Sequence, residues 1–72
     1  MIDYSKLNTL LFKRSENWTS LRKYGISPVT ISRMRKGEPV SLSVIEKICN
    51  VFQCKIEDVV EIELEPVEEK NT

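Results

Sequence analysis

The chain has 72 residues, with 11 Lys/Arg balanced by 11 Asp/Glu, no histidine and two cysteines. That length makes one small domain, which buries roughly 60 % of the surface its unfolded chain exposes, so support from oligomerisation is expected. A four-ligand zinc site, a histidine-based catalytic centre and a membrane span are excluded, because the ligands, the base and a long apolar run are all missing from the sequence.

The zero net charge hides a split. Residues 1–56 carry ten Lys/Arg against four Asp/Glu, whereas residues 57–72 carry Lys70 against seven acids between Glu57 and Glu69. Between residues 22 and 36 stand five bases (Arg22, Lys23, Arg33, Arg35 and Lys36) and no acid. This asymmetry points to a basic face for a polyanion and a separate acidic end. Cys49 and Cys54 are expected to be reduced, half-buried thiols, since nothing in the chain signals an oxidising compartment.

In chain order, Tyr4, Leu7, Leu10 and Leu11 recur at helical spacing and predict a first helix over 5–14. Asp3 or Ser5 is placed to cap its first N–H groups, and Lys13 and Arg14 suit its negative end. Ser15-Glu16-Asn17 breaks the pattern. A second, short helix is expected over 18–23, with Asn17 as its cap and Gly25 as the left-handed residue after it. Trp18 is expected to pack against the first helix or the turn.

Ser27-Pro28 restarts the chain, Ser27 as N-cap and Pro28 at a position where a missing N–H costs nothing. The third helix then spans 27–36 and stops at Gly37. A fourth helix follows the Glu38-Pro39 loop, capped by Ser41 or Ser43, with Ser43-x-x-Glu46 in the form of a capping box. Its apolar stripe is Ile45, Ile48, Cys49 and Phe52. A fifth helix over 56–59 adds two core groups, Ile56 and Val59. Val60, Ile62 and Leu64 then alternate with Glu61, Glu63 and Glu65, the period of a strand. From Pro66 onward disorder is expected. The organisation is thus a domain over 1–60 and an acidic strand or tail over 61–72.

On a helical wheel Ile31 and Met34 of the third helix share the side of Ser27 and must face the core. Val29, Ser32, Arg33 and Lys36 occupy the opposite side, flanked by Pro28 and Arg35. Two short helices joined by a glycine-containing turn, the second presenting an acid-free basic face, describe a helix-turn-helix. Here the sequence resembles a known family. The segments GISPVTISRM and VSLSVIEKIC, followed by QCKIEDVVE, resemble the Cro/lambda-repressor-like (XRE-type) helix-turn-helix domains of small stand-alone bacterial and phage regulators. The resemblance extends over about residues 4–62. It departs from the usual pattern at the second helix, where Leu21 stands four residues before Gly25 and no glutamine opens the helix.

The resemblance implies an all-α, five-helix fold with the third helix in the major groove of double-stranded DNA, and a role in transcriptional regulation. Its closest members make a repressor of the bacterial cytoplasm or nucleoid the expectation. Within that helix, Arg33 suits a bidentate contact to guanine, Val29 an apolar contact to a thymine methyl, and Ser32 a weakly discriminating hydrogen bond. Lys36, Arg35, Arg22 and Lys23 are expected at phosphates, which position a protein without reading sequence. Ser27 and Pro28 bring the helix start to the backbone. No nucleophile motif or phosphate-cradling loop suggests catalysis, and no cofactor or metal is expected. A homodimer would set two recognition helices about 34 Å apart, with Val60, Ile62 and Leu64 as one candidate contact, the alternative for that segment being an edge strand or arm packed on its own domain. The competing expectation is a protein-interaction module, or an antitoxin-like partner protein, using the same fold.

Overall fold

The computed structural model describes residues 1–67. Residues 68–72, where disorder is expected, lie outside it. The elements are strand β1 (Ile2–Asp3), helix α1 (Ser5–Lys13), a 3₁₀ helix (Thr19–Tyr24), helix α2 (Pro28–Arg35), helix α3 (Leu42–Phe52), a 3₁₀ turn (Ile56–Asp58) and strand β2 (Glu61–Ile62). Five helical segments were expected; only three are α-helices.

The second segment is 3₁₀ for a geometric reason. Its bonds run from each N–H three residues back, Ser20 to Asn17, Leu21 to Trp18 and Gly25 to Arg22. Six residues in this form span about 12 Å, against about 9 Å in an α-helix. The tighter winding compensates for the short spacing between Leu21 and Gly25. Asn17 holds the start, its side chain accepting the Ser20 N–H at 2.9 Å. Gly25 ends it at φ +89°, a left-handed conformation that glycine adopts without penalty.

The caps mostly follow the expected chemistry. Asp3 Oδ1 accepts the Ser5 N–H at 2.8 Å, and Ser27 Oγ accepts the Thr30 N–H at 3.2 Å. Helix α3 is capped by Ser41, whose hydroxyl accepts the Val44 N–H. The Ser43–Glu46 capping box does not form, because Ser43 already lies inside the helix and its hydroxyl bonds that of Ser41 at 2.9 Å. At the other end Gln53 turns left-handed and the Cys54 N–H reaches the Cys49 carbonyl at 3.0 Å. This closure leaves both thiols free and half-buried, and burial, reinforced by Cys49, pushes the Cys54 thiol up from its ordinary value.

One core joins all of these elements. Leu7 and Leu11 of α1, Leu21, Ile26, Ile31 and Met34 of α2, and Ile45, Ile48 and Phe52 of α3 are buried, with Tyr4 and Val59 closing its edges. Tyr24 meets the Phe52 ring edge-on, with centroids 5.9 Å apart. Arg14 lies over the same ring and donates to the Phe52 carbonyl at 2.8 Å. Trp18 packs on α1 as expected, its indole N–H donating to Asn8 Oδ1 at 3.0 Å. Ile56 is a correction: it is 48 % exposed, so Val59 alone of that turn enters the core.

The C-terminal alternation forms less strand than its period predicts. Only Glu61–Ile62 is strand, and Ile62 and Leu64 face solvent. Its partner, β1, was not foreseen. The pairing is antiparallel, Ile2 opposite Ile62 and Asp3 opposite Glu61, and Met1 and Glu63 continue it by exchanging two backbone bonds. Lys6 lies 4.0 Å from Glu61 and donates to the Glu57 carbonyl, tempering the two facing carboxylates.

This ribbon pins the end of α2. Gly37 sits at φ +75°, and a Cβ there would lie 3.2 Å from the Ile2 carbonyl. The Tyr4 hydroxyl donates to the Glu38 carbonyl one residue on, at 3.0 Å. Gly37→Ala should therefore cost about 1–2 kcal/mol from the left-handed backbone alone. The check is a urea midpoint shifted down at unchanged denaturant slope.

Candidate nucleic-acid interface

Helix α2 divides into two sides, as the wheel predicts. Ile31 and Met34 are 6 % and 1 % exposed, while Val29, Ser32, Arg33, Arg35 and Lys36 face solvent. The helix starts from Ser27 in an extended conformation, with Pro28 in the first turn. That start fixes the rotation of everything after it, so the sidedness is decided at residue 27.

The exposed side has two stripes. Pro28, Ser32, Arg35 and Lys36 line an open groove shared with Thr19 and Arg22 of the 3₁₀ helix. Val29, which is 65 % exposed, and Arg33 lie outside that groove on the outward stripe. The groove thus collects three cations and two hydroxyls from two elements. Among the described residues the ion pairs are Lys6–Glu61 and Lys23–Glu16, so Arg22, Arg33, Arg35 and Lys36 have no carboxylate partner there. Uncompensated cations around a helix with no acid give a positive surface of the kind that attracts an extended polyanion.

Lys23 is handled differently. Its ammonium lies 3.2 Å from Glu16 Oε1 and 5.3 Å from the centre of the Tyr24 ring. Glu16, half-buried, also accepts the Tyr24 hydroxyl at 3.0 Å. Of the residues expected to form the interface, Arg22, Pro28, Ser32, Arg35 and Lys36 are brought together in the groove, with Ser27 at the helix start. Lys23 instead ties the 3₁₀ helix to the turn before it.

Two positions had no part in the sequence reading. Thr19 joins the groove because it stands three residues, one 3₁₀ turn, before Arg22 and so on the same side of that helix. Lys47 of α3 reaches across to the turn, its Nζ 3.1 Å from where a Cβ would stand on Gly25. Nothing in the sequence around Lys47 signals this proximity; it follows from the packing of α3.

No group of three or more His, Cys, Asp or Glu that could hold a metal exists among the described residues, and no helix there is long and apolar enough to cross a membrane.

Comparison with known proteins agrees with this geometry. Residues 2–65 match the Cro/C1-type HTH DNA-binding domain. The chain belongs to that family, and its function is to bind DNA. Among solved structures, a crystal structure of the transcriptional regulator VanUg shares 36 % identity with it at a TM-score of 0.79, covering 83 % of this chain and 81 % of that one. No curated protein matches the chain.

The Glu16–Lys23 pair gives a test by titration. The hydroxyls of Ser20 and Tyr24, then Lys23, hold the Glu16 carboxyl below its ordinary 4.5, and Glu16 raises Lys23 above 10.5. A depressed acid stabilises the fold above its unfolded value and loses that contribution as pH falls through the folded one; a raised lysine acts in reverse at high pH. Stability from this pair should be complete between about pH 4.5 and 10.5 and fall on either side. Urea melts across the acid range should show a shallower fall for Glu16→Gln than for the native chain.

Proposed function

We propose that the chain is a sequence-specific transcriptional repressor of the lambda-repressor-like kind, acting in the bacterial cytoplasm or nucleoid and placing α2 in the major groove. The observation that carries this reading is the acid-free outward face of α2, with Val29 and Arg33 on one stripe and beside it a cationic groove without ion pairs among the described residues. Residues 1–60 carry the DNA-binding domain, and 61–72 form an acidic segment. The similar VanUg, a transcriptional regulator, supports regulation as the role. A protein of this kind represses by occupying its site, which needs no catalysis or cofactor.

Each proposed contact has a chemical role. Arg33 reads a guanine through two parallel hydrogen bonds, and Val29 packs on a thymine methyl. Ser32 adds a hydrogen bond that several bases satisfy. Arg22, Arg35 and Lys36 engage phosphates, and Ser27 with Pro28 seats the helix start against the backbone. Lys23 contributes to the local field while held by Glu16. With so few base readers, one copy discriminates modestly, and a homodimer on a near-palindromic site supplies the rest.

The dimer contact we propose is the outer edge of β2, with Val60, Ile62 and Leu64. Registering two antiparallel copies on Ile62 sets Glu61 of one opposite Glu63 of the other, and like charges face to face weaken such pairing. Salt should therefore tighten this dimer while loosening DNA. The second reading, a protein-interaction module or antitoxin-like partner protein, draws on the exposed Ile62, Leu64 and Val67 beside the acids.

Two measurements test these readings. In a salt series with bulk and site-selected DNA, affinity should fall steeply with salt. Arg33→Ala should lose about 1–3 kcal/mol of discrimination at one base pair, whereas Lys36→Ala should weaken all sequences alike and flatten the salt slope by about 1. Absence of binding at low salt would favour the interaction module. Sedimentation at low and high salt should show self-association rising with salt and lost in a chain ending at Val60; an unchanged dimer in that shortened chain rejects pairing through β2.

A further inference from the structure

The β1–β2 ribbon stands at the C-terminal end of the recognition helix. Arg35, Lys36 and Gly37 line a second hollow there together with Asp3, Trp18 and Glu63. Arg35 and Lys36 therefore border both hollows, the groove proposed for phosphates on one side and the ribbon on the other. The chain leaves the ribbon at Glu63, held by its N–H to the Met1 carbonyl at 2.8 Å, and enters the acidic segment containing Glu65, Glu68 and Glu69.

We propose that this acidic segment is an internal competitor for DNA, docking its carboxylates on Arg35 and Lys36 where phosphates otherwise bind. The proposal rests on the DNA-binding reading of α2. Charge complementarity names the occupant: Arg35 and Lys36 have no ion-pair partner among the described residues, and the chain's one run of acids passes through Glu63 in their own hollow, which Asp3 also lines. Reach permits it. The six residues from Glu63 to Glu69 extend up to about 20 Å, whereas α2, with its eight residues, is about 12 Å long. A short tether also holds the acids at an effective concentration in the millimolar range, so ion pairs of only millimolar intrinsic affinity suffice to occupy Arg35 and Lys36.

The consequence is selective. The competitor covers cations that position the protein and leaves Val29 and Arg33 on the other stripe. Nonspecific binding, made of phosphate contacts alone, is suppressed more than binding that adds base contacts. Carboxylates freed when DNA binds gather counterions again, so the native salt dependence is shallower than the cation count implies.

The test is a full-length Glu63→Gln/Glu65→Gln/Glu68→Gln/Glu69→Gln variant, which keeps the backbone pairing of Met1 with Glu63. Its affinity for bulk duplex DNA at low salt should rise on the order of ten-fold, with a salt slope steeper by about 1–2. The same substitutions are then made in an Arg35→Gln/Lys36→Gln background, where the gain should largely vanish. An equal gain in that background means a general change in net charge and overturns the proposal, as does an unchanged affinity and slope in the first variant. If neither the native chain nor the variant binds DNA at low salt, the DNA-binding reading itself fails, a result distinct from either.

Discussion

The structure depends on one chain reversal, Gly25-Ile26-Ser27. Gly25 takes the left-handed backbone that ends the 3₁₀ helix, Ile26 is buried, and Ser27 turns extended and caps α2. These three residues set both the crossing of the two helices and the rotation of the second. With Ile26 anchored, Ile31 and Met34 have one inward direction available, and the basic residues are left outside by default. The interface is thus a by-product of how the core is closed.

A second restraint acts at the far end of α2. Gly37 lies against the Ile2 backbone, and Tyr4 bonds the carbonyl of Glu38. Helix α2 is therefore held at its start by a cap and at its end by the N-terminal ribbon. In a domain this small, with eleven core side chains among the described residues, such backbone anchors add to a limited area burial. They also bring Glu63 of the acidic segment to the basic end of the helix.

Much of this was legible beforehand. The Ser27-Pro28 start, the left-handed Gly25, the stop at Gly37, and the inward Ile31 and Met34 follow from local stereochemistry and the helical period. The misreadings share a cause: each required knowing what lay across from a residue. Ser43 and Glu46 have the letters of a capping box, but Ser41 starts the helix earlier. Ile56 has the spacing of a core residue but faces outward, since Val59 fills the available space. Residues 60–64 alternate like a strand, yet only Glu61 and Ile62 find a partner, because β1 offers just two residues.

By itself, the sequence determined the helix-turn-helix, its acid-free outward face and the division of charge along the chain, because caps, glycines and periodicity act within a few neighbouring residues. Only the tertiary structure decided that Arg22 shares a groove with Arg35 and Lys36, that Lys23 is bound to Glu16, and that Glu63 shares a hollow with the end of α2. Those relations depend on distances between elements, and such distances exist only once the core has set the packing.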